Sequence, residues 1–524
     1  MRRHRDRPGG AADSERGPVA VGASPGDHRG TSAAGDGLFT LPVTEALRKD
    51  RFSGSATVPS AVTSCHDRPL RGRLMTELRP LDMGFMELED TDRHISLGIG
   101  AVAIMAGPIP TRSAFDAMLA EGVDRNERLR QRVRRSPLDL TAPVWEQDPD
   151  FALAHHIRWT ALPGAGDEPT LRELIATELE ERLDRDHPLW QCVVVDRVSD
   201  GRWALIVKAH HSMVDGVSGM SLFERLCDPP EDSVSKRTVP SRLSGVGLVD
   251  RLVRGVRDPW AVPRFALTMA RGLLPVMGAA VSPAPSSSLN GPIGRQRRYA
   301  IARASLTDVH AIGTSFEVTV NDVVLAAVAS AYRTVLSRRG EEPTAGKVRV
   351  LVPVSVRAPG AEEITDNRVS AMIPYLPIEL ADPIERLTAV HERVARHRAR
   401  GEAGAQSSLL AIAEWVPHAL VGWTFRLAGH FPQRSVAALV TNVVGPRHRL
   451  TFHGREVLEI LPCIPLAMRL RTTIAVLSYR DCLIFGITGD FDTTPDIDNI
   501  ADGIEGEIAE LSARASRSDL GDSR

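Results

Sequence analysis

Apolar and polar positions are patterned unevenly along the chain, and the break falls at Met75. Beyond it, short runs with a two-residue apolar period alternate with longer runs of helical period. "SLGIGAVAIM" (96–105) predicts a strand, "TRSAFDAMLAEGVD" a helix with a Thr or Ser cap, and "TLRELIATELEERLDR" a charged amphipathic helix. "PLWQCVVVDRV", opened by Pro188, and "RWALIVKAH" flank a turn at Ser199 to Gly201 and predict a hairpin, after which "VSGMSLFERL" has helical spacing. In the second half, "VTVNDVVLAAVASAYRTVL" predicts a helix starting near Asn321 or Asp322, and "KVRVLVPVSVR" a strand ending at Arg357. "AMIPYLPIEL" predicts a further strand, "PIERLTAVHERVARHRAR" a helix, "AALVTNVVGP" a strand and turn, and "TTIAVLSYRDCLIFGITGD" a hairpin. No short-period repeat is present, which excludes solenoids and propellers. The pattern predicts an α/β (α+β) protein of two halves, 75–227 and 301–512, joined by a connector over 228–300.

The flanking segments differ in composition. Residues 1–74 are rich in Gly, Ala, Ser, Pro and charge, and are expected to be disordered because they offer little apolar surface to offset ordering entropy. An alternative is that translation begins at Met75. Residues 513–524 are expected to be a disordered tail. The opening "MRRHRDR" has no apolar stretch behind it, which disfavours export. Within the connector, Arg251, Arg254, Arg257, Arg264 and Arg271 stand among apolar residues, a composition suited to an anionic membrane surface or to a surface helix packed on its own domain. No run of 18 uncharged apolar residues occurs, so a membrane-spanning helix is not expected; "LLAIAEWVPHALVGWTFRLAG" is interrupted by Glu414, Pro417 and Arg426.

Charge and cysteine content remove two function classes. A net charge of -2 gives no field for a polyanion, so no nucleic-acid partner is expected. Cys65, Cys192, Cys227, Cys463 and Cys482 are scattered without a CxxC pair, which argues against a disulfide framework or a cysteine zinc site and for a reducing compartment.

Candidate chemistry concentrates in "KAHHSMVDG" (208–216), at a strand-to-helix bend. Adjacent residues at a strand end point to opposite sides, so one of His210 and His211 packs while the other faces a cleft. Three readings stay open on the residues alone. A metal site would use His211 and Asp215, but no third ligand is evident and none is expected; a structural site would satisfy a buried imidazole with a carbonyl. In a catalytic site, a neutral imidazole takes a proton from a hydroxyl that attacks a carbonyl. Asp215 would then brace the bend or orient a ring nitrogen, and Gly216 would supply a positive φ that brings an amide close to the oxyanion. From Met75 onward the chain has no GxSxG elbow at a strand-to-helix turn, and the GASPG of 22–26 lies in the Gly- and Ser-rich arm, so direct transfer is favoured over a covalent intermediate, with Ser212 the weaker candidate nucleophile.

HHxxxDG is the signature of the CoA-dependent acyltransferase and peptide-condensation superfamily. "PLDMGFMELED", "DPDFALAHHI", "LDRDHPLWQ", "LNGPIGRQRR", "VTVNDVVLAAV", "VPVSVR", "DNRVSAMIPYLP" and "TNVVGP" resemble, in order from Met75 to Asp496, the blocks of the bacterial wax ester synthase/diacylglycerol acyltransferase family. The resemblance implies two chloramphenicol-acetyltransferase-like domains with the active site in a tunnel between them. It implies His211 as the base and an architectural Asp215, for which Arg357 is the candidate partner. Asn321 and Asp322 match the family's ND block, Asn442 and Gly445 its NVxGP block, and Pro188, Leu189 and Trp190 its PLW block, each with tunnel support or packing as the expected role. Val444 departs from the proline frequent before Gly445, and Arg469 and Arg471 stand where smaller residues are expected. The implied activity is transfer of a long-chain acyl group from acyl-CoA, as co-substrate, to diacylglycerol, with no bound cofactor. Wax ester synthesis on a fatty alcohol is the alternative, and a non-catalytic lipid-binding protein is the alternative of another class. The implied location is cytoplasmic, peripherally on the inner face of the membrane or on lipid droplets.

Overall fold

The computed structural model describes residues 76–136, 141–228, 285–355, 369–399, 433 and 435–522. All of them fall within one compact unit, 72–524. The expectation for residues 1–74 and the Arg251 to Arg271 segment lie outside the described residues.

In chain order the strands are β1 (Thr76–Glu77), β2 (Gly98–Met105), β3 (Gln131–Arg134), β4 (Val144–Gln147), β5 (Ile157–Ala161), β6 (Trp190–Val198), β7 (Arg202–His210), β8 (Arg297–Ser305), β9 (Val350–Ser355), β10 (Val369–Met372), β11 (Ala438–Val444), β12 (Thr451–Phe452), β13 (Arg455–Cys463), β14 (Thr472–Tyr479) and β15 (Cys482–Asp490). The α-helices are α1 (Pro80–Thr91), α2 (Arg112–Asp124), α3 (Glu168–Glu180), α4 (Gly216–Leu226), α5 (Leu306–Ser315), α6 (Val320–Arg338), α7 (Pro383–Ala399) and α8 (Ile497–Asp522).

Two six-stranded mixed sheets carry the fold, ordered β12-β13-β2-β7-β6-β5 and β10-β9-β11-β14-β15-β8, beside a small sheet β1-β4-β3. The second sheet is packed by α6, whose residues from Val323 to Val328 are all fully buried, together with α7 and α8. A helix apolar on every side belongs inside a core. Among the described residues no single helix is long and apolar enough to cross a membrane.

The sheets do not follow the partition of the chain into halves. β13, from the second half, pairs antiparallel with β2 and completes the first sheet, with Leu461 opposite Val102 and Cys463 opposite Gly100. Where β15 passes β13 the two sheets interlock: the Tyr299 hydroxyl donates to the Pro462 carbonyl at 2.8 Å. An ideal Cβ on Gly486 would lie 1.8 Å from that same carbonyl oxygen, so only glycine permits the approach. Arg303 adds ion pairs to Glu168 and Glu459 from the other side of the junction.

Two sequence expectations are corrected. The 513–524 tail is not an irregular end: α8 continues to Asp522, with Leu511 and Ala515 buried against the second core, because no Pro interrupts it and its apolar spacing persists past residue 512. The strand expected over "AMIPYLPIEL" stops at Met372, since Pro374 and Pro377 cannot donate to a ladder. The β6–β7 and β14–β15 hairpins form as expected, and Thr111 caps α2.

Candidate active site

The histidine pair sits at the end of β7. His210 is the last residue of that strand, paired across from Gly98 of β2, and its amide donates to the Leu189 carbonyl at 2.9 Å. The His211 amide donates to the Leu97 carbonyl, also at 2.9 Å. Strand alternation then sends the two rings to opposite sides: His210 is 1% exposed, whereas His211 is half-buried. Lys208, two residues before His210 on the same face, turns inward and donates to the carbonyls of Glu178 and Glu181 at the end of α3. Burial pushes its ammonium down to about 8.

Asp215 is the N-cap of α4. Its carboxylate accepts from the Ser218 amide at 2.7 Å and the Ser218 hydroxyl at 2.5 Å, forming a capping box at the start of the helix. The motif aspartate therefore fixes the helix that follows the histidines. Gly216 corrects the expectation of a positive φ: it is the first residue of α4, outside the left-handed positions of the chain. Its lack of a side chain is used differently, since an ideal Cβ would stand 3.0 Å from Val443 Cγ2 on β11. That contact brings the histidine bend of the first half against the NVVGP strand of the second. Asn442 lies on the same strand, and the Gly445 amide donates to Ser478 Oγ at 3.2 Å.

The other sequence candidates have distinct places. Ser212 is 4% exposed, with its hydroxyl 2.7 Å from His210 Nδ1, so it is packed with the inward histidine. Asp322, fully buried near the start of α6, accepts from Thr319 and pairs with His391 Nδ1 at 2.9 Å, while Asn321 precedes it in the first turn. Trp190 donates to the Leu129 carbonyl and stacks on His156. Arg471 packs its guanidinium over Gly291 and donates to the Ser288 carbonyl, a role in holding the "LNGPIG" loop. Arg357 lies outside the described residues, two positions past the end of β9. Among the described residues no group of His, Cys, Asp and Glu assembles that could hold a metal ion. A cavity of about 300 Å³ opens elsewhere, between Gly346, Tyr375, Arg393, Arg396 and His397. The described residues do not delineate the tunnel that the resemblance implies.

α1 adds residues that the sequence reading left unassigned. Phe85 and Glu89, one helical turn apart, share a face of α1. The Phe85 ring stacks on His211 with centroids 4.2 Å apart and planes at 26°. Glu89, 1% exposed, accepts from the Leu97 amide at 2.8 Å and from Arg185 at 2.5 Å, and stands 3.6 Å from His210 Nε2. Burial alone would raise the Glu89 carboxyl, but His210, the Leu97 amide and Arg185 outweigh it and hold it at about 2. The Ser212 amide donates to His210 Nδ1 at 3.1 Å. A backbone amide only donates, so the His210 ring proton is placed on Nε2, toward Glu89. For His211, desolvation lowers the pKa from its ordinary value, opposed by a backbone hydrogen bond and by Asp215. Although part of the residue is reachable, its ring is thus held in the neutral form that accepts a proton.

The chain matches the wax ester synthase/diacylglycerol acyltransferase catalytic domain over residues 78–324 and the C-terminal domain of the same family over 365–512. It is 42% identical over 450 residues to a probable diacylglycerol O-acyltransferase of Mycobacterium tuberculosis (strain ATCC 25618 / H37Rv), covering 84% of this chain and 97% of the relative. It is 27% identical over 452 residues to the O-acyltransferase WSD of Acinetobacter baylyi, covering 83% and 96%. The wax ester synthase/diacylglycerol acyltransferase of Marinobacter aquaeolei VT8 superposes with a TM-score of 0.61 at 26% identity, covering 84% of this chain and all of that one. The first condensation domain of the CDA synthetase shares the fold alone, at a TM-score of 0.56 and 18% identity. With the blocks, both family domains and the two-sheet architecture in agreement, the chain belongs to the wax ester synthase/diacylglycerol acyltransferase family of O-acyltransferases.

Proposed function

We propose that the enzyme transfers a long-chain acyl group from acyl-CoA to the free hydroxyl of diacylglycerol, giving triacylglycerol, with His211 as general base. The observation that supports this most directly is the half-buried, desolvated His211, at a bend where both halves of the chain meet. In the reaction so drawn, the imidazole takes the hydroxyl proton as the oxygen attacks the thioester carbonyl. The C–O bond forms, the C–S bond breaks, and the leaving CoA thiolate recovers the proton from the imidazolium. No bound metal or cofactor takes part, and acyl-CoA is a co-substrate. The 42% identity to a relative named for diacylglycerol supports that acceptor. The name of the Marinobacter structure couples wax ester synthesis to the same family, which keeps a fatty alcohol as the second acceptor reading. Asp215 paired with Arg357 would brace the bend, and Asn321, Asp322, Asn442 and Gly445 would support the substrate channel.

The apolar acceptor and product place the work at a lipid surface. The basic segment from Arg251 to Arg271 is the proposed contact, with the enzyme cytoplasmic and peripheral to the membrane or to lipid droplets.

The test is a turnover assay of the full chain with labelled long-chain acyl-CoA, offering diacylglycerol and hexadecanol in parallel, for wild type and His211→Ala. Triacylglycerol is expected as the main product, with kcat reduced by about two to four orders of magnitude in His211→Ala. Full activity in that variant would refute the base assignment. Wax ester as the dominant product would transfer the reading to the alcohol, and no turnover with either acceptor would favour a lipid-binding protein.

A further inference from the structure

We propose that Phe85 is a positioning residue for His211: its ring, stacked on the imidazole, fixes the plane in which the base meets the acceptor hydroxyl and closes one face of it to water. The inference rests on the reading of His211 as the base. It does not follow from the motif, because Phe85 lies on α1, more than a hundred residues earlier in the chain.

The geometry comes first. A centroid separation of 4.2 Å at 26° is a face contact, and it leaves the imidazole edge as the direction of approach; Nδ1 is buried, which leaves Nε2 as the nitrogen for the acceptor hydroxyl. The other end of the support is equally defined. Phe85 packs with Ile95, Leu97, Ile293 and Leu466 in a small apolar cluster of its own, so the ring is backed by side chains from before β2, from the loop before β8 and from the segment after β13. Leu97 ties the two contacts together, since its amide donates to Glu89 and its carbonyl accepts the His211 amide. One turn of α1 thereby engages both histidines. Glu89 faces the inward ring of His210, and Phe85 faces the outward ring of His211.

The electrostatics agree with that placement. Among the described residues, His210 and Asp215 act on His211 through their charge, the first opposing its protonation and the second favouring it. Glu89 and Arg185 stand behind His210 rather than beside His211. Val443, on β11, is the neighbour across the bend and is apolar. With opposed charges on its own segment, desolvation is the largest influence on the imidazole, and the stacked phenyl ring supplies part of it.

The experiment measures kcat, KM, the pH profile of kcat/KM and thermal stability for the full chain carrying Phe85→Leu or Phe85→Tyr, with His211→Ala in parallel. Leucine keeps apolar volume and removes the flat face, whereas tyrosine keeps the face. In Phe85→Leu, kcat is expected to fall by about 10- to 100-fold with KM little changed, the usual cost of a misplaced reacting group. Its acid limb should move up toward the ordinary histidine value of about 6.5. Phe85→Tyr is expected to restore the wild-type limb and most of the rate. A Phe85→Leu enzyme with wild-type kcat and an unmoved acid limb would overturn the proposal. So would losses in both variants that track their thermal stability while the limb stays fixed, because that is the behaviour of a packing residue. An active His211→Ala enzyme would instead show that the base reading itself has failed.

Discussion

Glu89 makes the stability of the site depend on pH in a way that can be worked from the structure. Its carboxyl is held at about 2 in the folded chain against a reference of 4.5. A carboxyl whose folded pKa is depressed contributes stability that is fully present above the unfolded pKa and is lost as pH falls toward the folded one. The difference corresponds to roughly 3 kcal/mol at neutral pH, of which a little under half is gone by pH 3.5. Glu89→Gln keeps the shape and one acceptor oxygen but removes the charge opposite Arg185 and His210. Wild type and variant, unfolded in urea side by side at pH 7, 5 and 3.5, should therefore differ most at pH 7. The gap should be little changed at pH 5 and should close by nearly half at pH 3.5. The buried site gives little screening to discount, since Glu89 is 1% exposed. A gap that is absent at pH 7, or that stays constant down to pH 3.5, would refute the account of an ionised Glu89 anchoring the histidine pair.

Two other predictions concern the helix cap and the lipid surface. Asp215→Ala should lower stability by about 2 kcal/mol, the upper end for a cap because the donors it leaves are buried, and Asp215→Asn should recover part of this through its amide oxygen; equal thermal midpoints for wild type and Asp215→Ala would remove the capping role. Reversing the charges at Arg251, Arg254 and Arg257 should weaken flotation with anionic vesicles while leaving turnover on detergent-dispersed substrate intact, and unchanged vesicle binding would remove the segment from the lipid contact.

The elements legible in the sequence were those whose pattern is local. The β6–β7 and β14–β15 hairpins and the capped α2 follow from two-residue and 3.6-residue periods with a turn or cap residue between them. β13 was not legible as a member of the first sheet, because nothing within "REVLEILPC" states which edge it will join. His211 stood out through its motif, and strand alternation separated it from His210. The capping box of Asp215 and Ser218 was readable from their three-residue spacing. Phe85, Glu89 and Arg185 lay inside quoted blocks, and the one-turn spacing of Phe85 and Glu89 was visible. Their partners were not, since only the packing of α1 over the ends of β2 and β7 brings them to the histidines. Gly216 shows the opposite error: a residue that permits positive φ served a close approach instead.

The borrowed strand bears on how the protein is made. β2 and β13 pair across about 350 positions of chain, which a ribosome needs roughly 20 to 70 s to add. Once β7 has been added, about 100 positions after β2, and until β13 follows, β2 has β7 on one side and an unpaired edge on the other, of the kind that invites pairing with another nascent chain. The histidine bend, at the end of the neighbouring strand, is synthesised early but acquires the Val443 wall of β11 and the β13 edge late. Native assembly of the site thus waits for β11 and β13, late in synthesis, and expression yield should respond to holdase chaperones acting while the chain is being made.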